Sequence, residues 1–478
     1  MKSLTRRRFL HLTAATMACT AARHAQGQGG VENPVETTLK IGTTTGATMP
    51  QDFLGLSYES AQLGDPSFFS AKNTGLVQQF RNLSTCGSLR FGGSLSNFTS
   101  WWDPATQPQK PSMPPAIAEG QTRFEWILTT PSVSRTKDAI ITPKSIEELR
   151  GFLDATGWSA IYGLNLGTGT AERAGAEGSC AARVLGKRLA ALQVGNEDDY
   201  FMHWMRPMTW GFDDYWKEYT SYVSAVHNRA AKAPFAGPDT AGLAWLVPYA
   251  ERAQRQPVFL SSHYYRMGPA GAPGINAEKL LSPDPKLQTH IDVAHQAMSV
   301  CGLPYRMTEA NSCSHGGMKG VSDAYASALW AIDFMLQGAQ ANFSGINLHG
   351  GGVEGVYSPI VGDQSVGCTA RPITEGMKFV NRFAGATFAA CKFTANGCNA
   401  VAYAAHKDQE LLIAIVNKDS KPINCTITGE VGSHTEGAEL LRAPALDSKT
   451  GIEFGSVDHK GNRFFLPPYT ALLICNAV

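Results

Sequence analysis

The sequence predicts an α/β chain: a (β/α)8 TIM barrel, then a C-terminal β-sandwich domain completed by an N-terminal strand. Three observations carry this. Between about residues 50 and 380, eight short apolar segments alternate with segments of helical apolar period. Polar residues recur where the apolar segments stop, as on the C-terminal face of such a barrel. From about Gly385 the texture changes to short apolar runs separated by Gly, Asn, Asp and Pro.

Residues 35–41 alternate like a strand but precede the first barrel segment, so they are assigned to the terminal sheet. Residues 53–58 form the first barrel strand and stop at Glu59. A helical region at 66–83 leads to strand 88–91 and the pair Gly92-Gly93. Ser145-Ile-Glu-Glu148 has capping-box spacing and opens a helix through Leu149, Phe152 and Leu153. Strand 158–166, helix 172–187 and strand 189–194 follow, then a helix over 212–231 with Tyr215, Tyr219, Tyr222 and Val226 on one face. Strands at 234–238, 258–262, 303–308 and 345–349 and helices at 276–301 and 322–336 complete the barrel. The terminal strands are 400–403, 411–416, 425–428 and 471–475. The barrel is thus assigned to 49–382 and the sandwich to 31–48 plus 383–478.

At 478 residues, with 43% hydrophobic and 17% charged residues, the chain suits a large core under a lightly charged surface. A formal net charge of +1 leaves no basic footprint, which argues against a nucleic-acid partner. Thr5-Arg6-Arg7-Arg8-Phe9-Leu10 matches the twin-arginine pattern, so residues 1–25 read as a leader cleaved after Ala22 or Ala25. The apolar stretch 10–22 is too short to span a bilayer, so stable membrane insertion after leader removal is not expected. The expected location is periplasmic or secreted. Ten cysteines lack any Cys-x-x-Cys pair, and no His-x-His pair occurs; neither a metal nor an organic cofactor is expected. Cys391 and Cys398 either bridge a hairpin or stand as two thiols.

The chemistry rests on two carboxylates. Gly195-Asn196-Glu197 ends one strand and Glu309 follows another. Glycoside hydrolysis needs such a pair: one acid/base, and one nucleophile or base. Either glutamate alone could be a solvated loop carboxylate. The pair on one barrel face assigns Glu197 as acid/base and Glu309 as nucleophile. Asn196 is placed to bond a sugar 2-hydroxyl, and the Tyr265 phenol to hold Glu309 ionised. His263 and His349 fall at strand ends too, where a histidine is as often a structural hydrogen-bonder as a site residue.

These segments resemble glycoside hydrolase family 79, which includes bacterial β-glucuronidases and heparanases. The resemblance rests on Gly195-Asn-Glu197, Arg306-Met-Thr-Glu-Ala-Asn-Ser312 and Val321-Ser-Asp-Ala-Tyr-Ala-Ser-Ala-Leu-Trp330. Leu54-Gly-Leu-Ser-Tyr-Glu59 and Leu89-Arg-Phe-Gly-Gly93 extend it. It implies a retaining β-glucuronidase acting on glucuronic-acid-containing glycans, 4-O-methylated ones included. It further implies substrate contacts from Glu59, Asn196 and Tyr265, with the glucuronate carboxylate near Gly316 and Tyr357. Two positions depart from the family pattern. Asp198 stands where proline is usual and adds a negative charge beside the acid. Ser314-His315 stands where a tyrosine is usual at 314, leaving His315 to contact the carboxylate or to be a plain loop residue. Ser314 keeps a retaining β-xylosidase or other neutral-sugar hydrolase open, alongside an endo-acting heparanase-like enzyme and a catalytically silent glycan-binding protein.

Overall fold

The computed structural model describes residues 33–107, 109–111, 140–203, 205–351, 355–429 and 435–477; the twin-arginine segment lies outside the described residues. Strand β1 (Val35–Thr48) precedes the barrel. The barrel strands are β2 (Leu54–Glu59), β3 (Ser88–Gly92), β4 (Ser159–Leu164), β5 (Leu189–Val194), β6 (Phe235–Thr240), β7 (Leu260–Met267), β8 (Tyr305–Cys313) and β9 (Gly345–His349). They pair in parallel in chain order and close, β9 against β2. All eight expected segments are present, so the barrel is real.

Helices α1 (Thr74–Leu83), α2 (Pro143–Thr156), α3 (Ala171–Leu185), α4 (Phe212–His227) and α5 (Leu246–Ala253) alternate with the strands. Then come α6 (Ala277–Leu281), α7 (Pro285–Cys301), α8 (Tyr325–Gln340) and α9 (Ile373–Asn381). Three expectations on extents are corrected. Helix α2 opens at Pro143, not Ser145: the Thr142 side chain accepts from the Ser145 amide, and the Ser145 hydroxyl accepts from the Thr142 amide. Ser145 is therefore the third residue of the helix, and the box runs from Thr142. The single helix expected over 276–301 is two, because Pro283 and Pro285 cannot continue α6. Strands β7 and β8 run about five residues past their expected ends, with every residue of β8 buried.

The terminal strands are β10 (Thr387–Thr394), β11 (Ala400–Lys407), β12 (Glu410–Asn417), β13 (Ile423–Gly429), β14 (Thr435–Arg442), β15 (Glu453–Gly455), β16 (His459–Lys460), β17 (Arg463–Leu466) and β18 (Thr470–Ala477). They form one ten-stranded sheet in the order β15-β14-β18-β12-β11-β10-β1-β13-β17-β16. Strand β1 sits inside it, antiparallel to β10 and parallel to β13. The central strands β12 and β18 of this sheet are buried on both faces. Leu412, Ala414, Val416, Leu441 and Leu473 join the barrel core, while Leu411, Ile413, Ile415, Leu472 and Ile474 pack with Leu39 and Ile41 in a second core. A strand buried on both faces needs no polar alternation, which explains the unbroken apolar run 411–416.

Helix α8 joins the two parts. It is buried along nearly its whole length, and its Tyr325 hydroxyl donates to the carbonyls of Leu441 and Tyr469. Deeper along α8, Asp333 accepts from Lys418 Nζ and from the Tyr403 hydroxyl, each at 2.5 Å. All nine cysteines of the described residues carry free thiols, Cys391 and Cys398 among them, so the hairpin bridge is not formed. Among the described residues no helix is long and apolar enough to cross a membrane.

The Asp333–Lys418 pair is buried, with side-chain exposures of 10% and 5%. Lys418→Met leaves a carboxylate without its cation in an apolar interface. The expected loss is about 3–5 kcal/mol of unfolding free energy in urea titrations.

Candidate active site

One guanidinium organises the C-terminal mouth of the barrel. Arg90 lies mid-strand in β3, between Leu89 and Phe91, and is fully buried. A buried cation must be matched by acceptors, and its nitrogens find several. Nη1 donates to Glu309 Oε2 at 2.5 Å and to Ser57 Oγ at 3.0 Å. Nη2 donates to Asn196 Oδ1 and to Asp239 Oδ2, both at 2.6 Å. Nε points at Gln193 Oε1, 3.4 Å away.

Two irregularities bring the acids to this cation. The pairing register of β8 shifts between Met307 and Glu309, so Thr308 and Glu309 both turn toward the barrel axis. Thr308 Oγ1 then donates to Asp239 Oδ1 at 2.6 Å while Glu309 meets Arg90. Asp239 occupies a similar shift in β6 and has φ 62°. Glu309 was expected at a strand end; it is the fifth residue of a nine-residue strand, placed by this bulge rather than by termination.

Glu197 follows β5 across a turn in which Gly195 has φ 82° and Glu197 itself φ 53°. A Cβ on Gly195 would lie 2.2 Å from the Asp198 carboxylate, so only glycine fits there. A non-glycine residue held in the left-handed region costs free energy and aims its side chain out of the strand line. Glu197 is aimed at His263: Oε1 and Nδ1 are 3.2 Å apart. His263 Nε2 lies 3.1 Å from Asp239 Oδ1, which also accepts from Gln193 Nε2 at 2.8 Å. One donor atom from each of Glu197, His263 and Glu309 lies within 4.8 Å of the others. Such a trio has the spacing of a cation site, but Arg90 already contacts Glu309 at 2.5 Å, which opposes a further positive charge.

The charge states follow from these contacts. Burial opposes the charge of Glu309, but His349, His263, Arg90 and the Tyr265 hydroxyl outweigh it and hold its pKa at about 2. Burial likewise opposes charge on His263, yet Glu309 and Asp239 lift it to about 10. Asp239 is held well below the usual carboxylate range: burial works against it, and Arg90 and His263 prevail. Asp198 differs. Burial, then neighbouring Asp199 and Asp239, push its pKa well up, so the negative charge expected at that position is suppressed. Its carboxylate instead faces the Asn196 amide beneath the turn.

A cleft of about 910 Å³ opens over this network. Glu59, Glu197, Tyr265, Glu309, Ser314, His315, Gly316 and Tyr357 all line it. Tyr265 donates to Glu309 Oε1 at 2.8 Å. Glu59 accepts from the Leu95 amide and stands 3.7 Å from His349 Nε2. The Tyr357 amide donates to the Gly316 carbonyl at 3.1 Å, joining the loops that follow β8 and β9. His315 is exposed, its Nδ1 3.1 Å from Ser314 Oγ. Asn196 is the exception: it is 1% exposed, and its Oδ1 accepts from both Arg90 and the Gly93 amide. Only its NH2 group is left to offer a ligand.

Sequence reasoning missed Arg90, Gln193, Asp239 and Asn311, whose NH2 group holds the carbonyls of His349 and Tyr357. A signal existed for two of them. Arg90 and Gln193 are lone polar residues inside apolar strand runs, which a barrel interior tolerates only when they are bonded to each other or to acids.

No family model matches the chain. A β-glucuronidase of Aspergillus niger is 26% identical over 192 residues, 35% of each chain. A β-glucuronidase of Neurospora crassa is 25% identical over 226 residues, 40% of each. The chain thus matches little more than a third of these relatives' length. Among solved structures, a 4-O-α-L-rhamnosyl-β-D-glucuronidase from Fusarium oxysporum superposes with TM-score 0.68, at 19% identity over 91% of this chain and 99% of that one. A family 51 arabinofuranosidase from Xanthomonas axonopodis superposes with TM-score 0.67, at 13% identity over 92% and 99%. These likenesses establish the barrel-plus-sandwich fold.

The stability of the network has a defined pH window. Glu309, whose folded pKa of about 2 lies below its ordinary 4.5, contributes fully above pH 4.5 and loses this as the pH falls toward 2. His263, raised from 6.5 to about 10, contributes fully below pH 6.5 and loses this as the pH rises toward 10. Calorimetric Tm is expected to peak between about pH 4.5 and 6.5. His263→Asn is expected to flatten the alkaline decline; an unchanged slope contradicts the assignment.

Proposed function

We propose that the chain is a retaining β-glycosidase of the glycoside hydrolase family 79 type, most specifically a β-glucuronidase. The observation that carries this is the carboxylate pair. Glu197 and Glu309 approach within 4.8 Å across the cleft. Double displacement needs carboxyl groups about 5–5.5 Å apart, whereas inversion needs about 6.5–9.5 Å to seat a water. Glu309, held ionised by its cationic neighbours, attacks the anomeric carbon while Glu197 protonates the departing oxygen. The glycosyl-enzyme is then hydrolysed by a water that Glu197 deprotonates. The Tyr265 hydroxyl and Arg90 fix the attacking oxygen's partner and its direction.

Support for a uronate comes from the loops after β8 and β9. Gly316, Tyr357 and the exposed His315 all line the cleft, and a backbone amide, a phenol and an imidazole are groups suited to a carboxylate. The β-glucuronidase names of the sequence relatives agree with that reading. A twin-arginine leader would place the enzyme in the periplasm or outside the cell. Ser314 favours a second reading, a neutral-sugar hydrolase, because a hydroxymethylene is a weaker carboxylate partner than a phenol.

A panel of aryl β-glycosides decides between them, with the glucuronide expected to be cleaved best, and the xyloside or another neutral β-glycoside best under the second reading. Glu309→Ala is expected to lower aryl-glucuronide turnover by at least about 10⁴-fold. Glu197→Ala is expected to cost about 10²–10⁴-fold with poor leaving groups and far less with activated phenols. Retained activity in Glu309→Ala would refute the assignment.

A further inference from the structure

The hydrogens of Arg90 settle a question about His263. Two groups face its Nε2: Asp239 Oδ1 at 3.1 Å, an acceptor, and Arg90 Nη2 at 3.3 Å, a donor. Nη2 carries only two hydrogens. Both are committed at 2.6 Å, one to Asn196 Oδ1 and one to Asp239 Oδ2. None is left for the imidazole. Nε2 must therefore carry a proton and donate it to Asp239. The other ring nitrogen, Nδ1, then faces Glu197 Oε1 across 3.2 Å.

We propose that Asp239 is a positioning residue of the reaction: it fixes His263 with a proton on Nε2, so that Nδ1 and Glu197 hold one catalytic proton between them. This rests on the reading of Glu197 as acid/base. In the first step the proton passes to the glycosidic oxygen as the C1–O bond breaks and the Glu309–C1 bond forms. The pair is then a carboxylate beside a neutral imidazole with its lone pair facing it, which favours taking a proton. In the second step water's oxygen bonds to C1, the Glu309–C1 bond breaks, and water's proton returns to the pair. One proton leaves and one returns in each cycle.

Asp239 is built for this role rather than for contact with the sugar. It is 1% exposed and lies beneath the cleft rather than on its wall. Gln193, Thr308 and His263 all donate to its Oδ1, and Arg90 donates to its Oδ2, so its orientation is over-determined. The charged and titratable groups around the pair come from every neighbouring element. Arg90 approaches from β3, Asp239 from β6, Tyr265 from β7 and Glu309 from β8 at 3.9 Å. His349 reaches Glu309 from β9 at 3.6 Å; Asp199, bound to the Ala241 and Gly242 amides, and His290 on α7 act on His263 from farther off. With Glu309 and Asp239 both ionised, the local field favours a proton on His263.

The test is the pH profile of kcat/KM for an aryl glucuronide with a poor leaving group. Asp239→Asn removes one negative charge 3.1 Å from the imidazole, so the pair should lose its proton more readily. The alkaline limb is expected to move down by about one pH unit or more. Thr308→Val keeps the carboxylate and removes one hydrogen bond, and its limb is expected to stay. A uniform fall in kcat with both limbs in place would reduce Asp239 to a structural role and overturn the proposal. If Asp239→Asn does not fold, ¹⁵N-histidine spectra of the unaltered protein decide, with the His263 signal identified by its absence in His263→Asn. Nε2 is expected to remain protonated from pH 5 to 9, and a deprotonated Nε2 in that range overturns the proposal. The underlying reading is checked separately: if Glu197→Ala shows no leaving-group dependence, the acid/base assignment fails, whatever the Asp239 variants do.

Discussion

Arg90 is the group on which the rest of the site depends. A guanidinium with no solvent contact would be prohibitive alone, and so would the carboxylates of Glu309 and Asp239 beside it. Together, with His263 as a second cation, they form a buried set of two positive and two negative charges whose donors and acceptors match nearly atom for atom. That match holds Glu309 ionised at low pH and keeps Asp239 from protonating. It also commits both hydrogens of Nη2, to Asn196 and Asp239, and leaves Nδ1 of His263 facing Glu197. A single side chain in the second barrel strand thus sets the charge of Glu309 and the surroundings of His263 beside Glu197.

The backbone pays for this arrangement in local strain. Gly195, Glu197 and Asp239 all have positive φ, and β6 and β8 slip register where Asp239 and Thr308 turn inward. Strict alternation would have sent Thr308 and Glu309 to opposite faces of the sheet. The bulge lets neighbouring residues serve the same interior, one bonding Asp239 and the other Arg90. Strain of this kind persists only where the surroundings over-determine it, and here the hydrogen-bond network does. Behind the barrel, the terminal sheet is tied to α8 through Asp333, Lys418 and Tyr403.

Much of the barrel was legible because its signal is local. Residues 189–194 and 345–349 coincide with β5 and β9, since each apolar run ends at a turn residue. The run 411–416 was legible as a strand too, though not that both of its faces are buried. The true start of α2 was not legible, because Thr142 and Ser145 both suit a cap and only the hydrogen bonds distinguish them. The true length of β8 was hidden for another reason. Thr308-Glu309-Ala310-Asn311 looks like a polar loop until its partners across the barrel are known.

The sequence by itself determined the order of strands and helices, the placement of two glutamates on one face, and the presence of a distinct terminal sheet. These follow from periodicity and from where apolar runs stop, which are properties of short stretches of chain. The tertiary structure alone decided the separation of the carboxylates, the suppressed charge on Asp198, the burial of Asn196 and the linkage of Asp239 through His263 to Glu197. Each depends on groups far apart in sequence: Arg90 and Glu309 are separated by 219 positions, Arg90 and Asp239 by 149. No local pattern encodes that meeting. It arises only when eight strands close and leave the Arg90 guanidinium to be neutralised.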